Sequence, residues 1–183
     1  MKLLQLVSFF AAAVAQTVNR TQTNGWGSTP AQRHYISASQ AQEVVNAAID
    51  QSNAIGVPDN IAVVDPSAQL VAFLRMDNAY LGSVDISTKK AKTVALFNGL
   101  FPSYGLYNRS QPGPMNDLYA IQETNDGLVV FGGGQPIYDH DGYFIGAVGI
   151  SGGTVQQDVN VSVTAAEAIG STLQLAPFLM NPV

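Results

Sequence analysis

The sequence predicts an α+β domain: a single antiparallel sheet of five strands with helices laid on one face. Three observations predict it. Apolar residues recur at helical spacing in three separate segments. Five short runs rich in β-branched and aromatic residues lie between them, bounded by Gly, Pro, Asn and Asp. The runs are clustered and joined by short turns, which makes neighbours antiparallel; a parallel sheet would alternate each strand with a helix.

The elements follow in chain order. Lys2 is a short basic start, Leu3–Val14 is apolar apart from Gln5 and Ser8, and Ala13-Val14-Ala15 has the A-x-A form of a cleavage site. Residues 1–15 therefore read as a secretory signal peptide, too short for a membrane span, and the protein is expected outside the cell. Their competing reading is a first buried strand or helix. Residues 16–36 are polar, carry Asn24-Gly25 and Gly27-Ser28-Thr29-Pro30, and read as a mobile tail. The domain is expected over 37–183.

Ser37 or Ser39 caps the first helix, with Gln40 or Gln42 three residues on. Ala41, Val44, Val45, Ala48 and Ile49 form its apolar stripe, and Gly56 and Pro58 end it. Residues 61–65 and 69–75 are strands, with Pro66-Ser67-Ala68 as the turn. Ser83 or Asp85 caps a second helix, which sets Ile86, Lys90, Ala91, Val94, Ala95 and Phe97 along one side. Residues 98–117 form a long irregular loop and 118–122 a short helical turn. Strands follow at 128–131, 136–138 and 143–151, with Gly132–Gly134 and Asp141-Gly142 as turns. Thr154 starts the last helix, with Val155, Val159, Val163, Ala166 and Ile169 or Gly170 inward.

The chain has 183 residues, enough for one domain, and a net charge of −5. Loss of residues 1–15 removes one lysine and leaves −6. An acidic chain with eight basic residues is poorly suited to a phosphate backbone, so no nucleic-acid partner is expected. No later segment is long and apolar enough to span a bilayer. There is no cysteine, which removes disulfides and thiolate metal sites. A secreted domain must then be stabilised by its core or by assembly into a homo-oligomer. Asn19, Asn108 and Asn160 head sequons and are candidate glycosylation sites.

Six blocks resemble a known family: Ile61–Asp65, Arg75-Met76-Asp77, Lys90–Thr93, Gly132–Ile137, Ile145–Gly153 and Gln157-Asp158. In this order they are similar to the GlcG/HbpS-type haem-binding family, to which the C-terminal domain of PduO-type corrinoid adenosyltransferases also belongs. The likeness spans roughly residues 37–175. It implies a profilin-like antiparallel sheet flanked by helices, frequent oligomer formation and, in some members, haem binding.

The chemistry-bearing residues admit several readings. Gly149-Ile150-Ser151-Gly152-Gly153 fits G-x-S-x-G, but a nucleophile elbow needs a later histidine, and the only histidines are His34 and His140. Those glycines fit backbone geometry better. Asp139-His140-Asp141 holds three metal-ligand types, yet Asp-Gly alone explains a polar hairpin tip, and no metal site is assigned. Ser151–Thr154 before a helix suits an anion, a carboxylate or enolate rather than a nucleotide, or is an ordinary cap by Thr154.

Lys90, Arg75 and Asp77 are the candidate catalytic set. A lysine on an apolar helical stripe needs a reason: a pair with Asp77 or Asp85, a pocket with a lowered pKa, or a structural tie between helix and sheet. Tyr80, Tyr104 and Tyr107, with Gly132, Gly133, Gly134 and Ser151, are candidate ligand-binding residues, since aromatics with one polar tip suit a flat organic ligand or an oligomer interface. His34 is a candidate haem ligand or a plain surface residue. The expectation is a secreted binder of a small organic molecule, with haem as the resemblance implies. Its pocket would lie between Arg75–Asp77, Lys90, Gly132–Gly134 and the 98–117 loop. The alternatives are a metal-independent isomerase or lyase using Lys90 and Arg75 on an anionic or enolisable metabolite, and an oligomeric interaction protein without a ligand.

Overall fold

The computed structural model describes residues 18–114 and 116–169. The signal-peptide reading of residues 1–15 lies outside them, as does the expected inward position of Gly170. Helix α1 spans Ala38–Ile55. Strands β1 (Asn60–Val64) and β2 (Leu70–Arg75) follow, then α2 (Ser83–Leu96). A single turn α3 (Tyr107–Ser110), strands β3 (Gly134–Tyr138) and β4 (Phe144–Ser151), and helix α4 (Val155–Glu167) complete the order.

The sheet has four strands in the order β2-β1-β4-β3, all pairs antiparallel. The expected fifth strand at 128–131 is absent. That stretch has no regular structure, and its backbone bonds go elsewhere. The Val129 amide donates to Thr93 Oγ1 at 3.0 Å, and the Phe131 carbonyl accepts from Ser103 Oγ at 2.6 Å. Side chains of α2 and of the following loop thus take the places of ladder partners. The Gly132–Gly134 turn is also displaced, because Gly134 already belongs to β3.

Helices cover both faces rather than one. Val148 and Ile150 of β4, with Ile61 and Val63 of β1, meet Val44, Val45 and Ala48 of α1 and Val161 and Ala165 of α4. Ala147, Phe144, Val64 and Tyr138 instead meet Ala91, Val94 and Ala95 of α2. The two-residue strand period separates these sets. A register shift at Ile137/Tyr138 pairs Ile137 with Gly146 but Tyr138 with Phe144. Ile145 is the extra residue of this bulge, which shifts the alternation so that Phe144 joins the core of Ala147 and Ile145 the core of Val148.

The predicted α1 stripe is buried, Ile49 only partly, and Ser37 and Gln40 form the full capping box. Gly56 closes the helix at φ 68°. Helix α2 is capped by Gly82, one residue before Ser83 and three before Asp85, the expected caps, and without a side-chain cap. In α4 the inward residues are Asp158, Val161, Ser162, Ala165 and Ala166, with Ile169 buried just beyond its end, so the expected Ala166 and Ile169 are inward while the stripe is rotated away from the expected Val155, Val159 and Val163. Val155 is exposed, while a buried aspartate has taken an inward place. Residues 18–36, read from sequence as a tail, lie against the domain. Trp26 meets the Phe144 ring edge-on, and the Ile36 amide donates to the Ile145 carbonyl at 2.8 Å.

Candidate functional site

Glycines bring α2 onto the sheet at backbone distance. A Cβ on Gly149 would lie 2.0 Å from the Ser87 carbonyl oxygen, and one on Gly134 would lie 2.6 Å from the Lys90 carbonyl oxygen. This approach sends the Lys90 side chain past Gly133, from the α2 side of the sheet to the α4 side. Its ammonium is fully buried and donates to Asp158 Oδ2 at 2.5 Å and to the Ile150 carbonyl at 2.8 Å. Phe131 presents its ring 5.1 Å from the nitrogen. Burial pushes the Lys90 pKa down, and the Asp158 carboxylate pulls it back up.

Asp158 Oδ1 accepts the amides of Gly152 and Gly153 at 3.2 and 3.0 Å. The anion cradle read at Ser151–Thr154 is therefore filled by the chain's own carboxylate. Thr154 caps α4 in a reciprocal box with Gln157. Ser151 ends β4, buried, with its carbonyl accepting from the Asn60 side-chain Nδ2 at 3.4 Å. No histidine hydrogen-bonds to it among the described residues.

Beside this pair sits Asp59, 1 % exposed, with Oδ2 accepting from Ser52 Oγ at 2.8 Å and Oδ1 buried without a partner. Its pKa is pushed up to about 6. Burial is the main cause, the Ser52 bond opposes it, Asp158 adds to it and Lys90 opposes it. The folded value lies above the ordinary 3.8, so the neutral form favours folding. That stabilisation is complete below the unfolded value and is lost as pH rises through about 6. Asp59→Asn cannot titrate. Between about pH 3.5 and about pH 8, urea unfolding should show the variant gaining about 2–3 kcal/mol relative to wild type. A difference that stays constant with pH would show that Asp59 does not titrate there.

The proposed catalytic set does not converge. Lys90 is buried, whereas Arg75 and Asp77 are exposed at the end of β2 and beyond it. Neither Asp77 nor Asp85 pairs with Lys90. Asp85 instead holds Lys89 at 2.9 Å, one turn on along the exposed side of α2. The sequence named Asp158 but left it out of the set, because its partner lies 68 residues away on the opposite face of the sheet. The tyrosines also scatter: Tyr80 is 70 % exposed and Tyr107 43 %, while Tyr104 lies beside Gly132 with its hydroxyl pKa raised by burial. The expected hollow beside Lys90 is taken up by Gly133, where a Cβ would sit 2.7 Å from the ammonium.

A groove opens at the other end of the sheet, at the β3–β4 hairpin. It holds about 550 Å³ and is lined by Gln32, Arg33, His34, Tyr35, Gln40, Asp139, Tyr143 and Ile145. Asp139 builds the hairpin: its Oδ1 accepts the amides of Asp141 and Tyr143, and Gly142 takes φ 88°. Its Oδ2 lies 2.9 Å from His34 Nδ1. A carboxylate oxygen only accepts, so Nδ1 carries the proton; in the neutral ring this leaves the lone pair on Nε2. The imidazole stacks on Tyr143 at 4.0 Å between ring centres. His140 and Asp141 of the Asp-His-Asp run are exposed, and no group of three metal-ligating carboxylates or histidines occurs among the described residues. The sequence singled out His34 and Asp139 separately; their separation of 105 residues hid the pairing.

The three sequon asparagines, Asn19, Asn108 and Asn160, are all exposed. No helix of the described residues is long and apolar enough to cross a membrane.

Comparison with known proteins places these features in context. The model of the family described as "Haem degrading protein HbpS-like" matches residues 36–167. An uncharacterised 15.0 kDa protein of Citrobacter freundii is 37% identical over 133 residues, covering 72% of this chain and 90% of its own. The corrinoid adenosyltransferase PduO of Salmonella typhimurium is 33% identical over 135 residues, 73% of this chain, but the match spans only 39% of that longer enzyme. Among solved structures, a PduOC–haem complex superposes with a TM-score of 0.68 at 31% identity, covering 74% of this chain and 96% of its own.

Proposed function

The chain belongs to the HbpS-like family, and from that premise we propose that it binds a flat organic ligand, haem first among them, in the groove at the β3–β4 hairpin. The observation that carries this reading is the His34–Asp139 pair. An imidazole whose Nδ1–H is held by a carboxylate presents Nε2 as a ready metal ligand, and metal-ligating histidines are commonly oriented this way. The groove's volume lies within the usual range for small-molecule sites, about 300–1,000 Å³. Tyr35, Tyr143 and Ile145 supply apolar and aromatic walls for a flat ring system. His34 would hold haem through Nε2, with Asp139 orienting the ring and Tyr35, Tyr143 and Ile145 as walls, and the bound group would supply a metal centre.

Titration with haemin should produce a sharp Soret band with wild type. His34→Ala should lose that band while melting near the wild-type temperature. Asp139→Asn should bind about 10- to 100-fold more weakly. Its amide oxygen can keep the hairpin turn, but its N–H groups then face Nδ1 and favour the tautomer with the proton on Nε2. A featureless wild-type spectrum, or an unchanged band in His34→Ala, would overturn the assignment.

Secretion is part of the same proposal, supported by the N-terminal pattern and the exposed sequons. So is self-assembly, supported by exposed apolar side chains such as Tyr80 and Leu81, at 70 % and 75 %. The intact mass of protein from its native host, and light scattering of the purified protein, test the two.

A further inference from the structure

Among the described residues Arg33 is the only lysine or arginine lining the groove, and it sits next to His34. Its guanidinium lies over the Trp26 ring, 3.7 Å from the ring centre. One terminal nitrogen, Nη1, donates to the Ser28 carbonyl at 2.7 Å and lies 3.3 Å from the Ser28 hydroxyl. Nε and Nη2 make no hydrogen bond among the described residues. Trp26 is itself fixed by its edge-on contact with Phe144, a buried residue of β4. The plane of the guanidinium is thus set by an aromatic face and one end is tied down, while the other donors are left for a partner. The one carboxylate among the described lining residues, Asp139, is already engaged by His34 and by its own turn.

We propose that Arg33 recognises a carboxylate of the ligand, and that Trp26 is the positioning residue that holds its donors toward the groove. The site then takes flat ligands that carry an anionic group at their rim, and discriminates against the same ring system with that group masked. A preoriented planar fork matches a carboxylate in two hydrogen bonds, which a lysine cannot reproduce. This inference rests on the binding reading above and names the ligand chemistry of the same groove.

The test compares haemin with its dimethyl ester, in which both carboxylates are capped. Wild type should prefer the free acid by about ten- to a hundredfold. In Arg33→Ala the preference should fall to within about threefold, while the Soret position, which reports the iron ligand, stays where it is in wild type. Trp26→Ala should lose most of the preference although Arg33 is present, and Trp26→Phe should restore part of it by keeping an aromatic face. Equal wild-type affinity for the two pigments sinks the inference alone and needs no variant. A full preference in folded Arg33→Ala does the same. If neither pigment gives a Soret band, the haem reading itself falls and takes this inference with it.

Discussion

Lys90→Met should lower the unfolding free energy by about 3–5 kcal/mol, a large share of what a domain of this size possesses. Methionine fills similar volume, so the loss does not come from a cavity. It comes from Asp158, whose nearly buried carboxylate would lose its counter-ion. The amides of Gly152 and Gly153 would still reach Oδ1, but Oδ2 would face the Met side chain. Double substitution separates this cause from lost packing. Lys90→Met with Asp158→Asn removes both charges, and the asparagine oxygen can keep the two glycine amides. That variant should recover about half of the loss. Denaturant unfolding of both proteins gives the comparison. If Lys90→Met melts near wild type, the buried pair does not hold α2 to α4, and a role for the ammonium in chemistry regains its case.

Gly149→Ala should cost about 3 kcal/mol or more, and it acts on the same joint from the other side. Overpacking usually costs about 1–3 kcal/mol because side chains can shift. Here the clashing atoms are the Ser87 carbonyl oxygen at 2.0 Å and the Ala91 nitrogen at 2.7 Å, both backbone atoms of α2. The whole helix must move away, and Lys90 moves with it. Gly82→Ala is the control. Nothing lies within 4 Å of the Cβ it would gain, and its φ of −63° suits any residue. It should change stability by no more than about 1 kcal/mol, toward greater stability. Similar melting temperatures for the two variants would show that the close approach of α2 to β4 is not required.

The parts of the fold legible in the sequence were those set by neighbours in the chain. The α1 stripe, its Ser37–Gln40 box and Gly56 stop, the β1–β2 hairpin and the Asp141-Gly142 turn all depend on contacts within a few residues. The family blocks added the expectation of a sheet flanked by helices. What failed depended on partners far away. Residues 128–131 carry a strand's composition, but Thr93 and Ser103 claimed their backbone groups before any strand could. The α4 stripe was right at Ala166 and Ile169 but misplaced nearer its start, because hydrophobic periodicity cannot anticipate an inward aspartate matched by a lysine from another helix.

The candidate site divides along the same line. Lys90 stood out in the sequence as a cation on an apolar stripe, and its burial agrees with that. Its partner, its lack of contact with Arg75 and Asp77, and the filling of the glycine cradle by Asp158 are matters of three-dimensional placement. His34 offered no local signal, since nothing within a helical turn or a strand step of it can orient an imidazole. By itself the sequence determined the helices, the hairpins and the family. Only the tertiary structure decided which charges meet, because an ion pair or an oriented ring depends on distances of a few ångströms between residues that chain spacing leaves unconstrained.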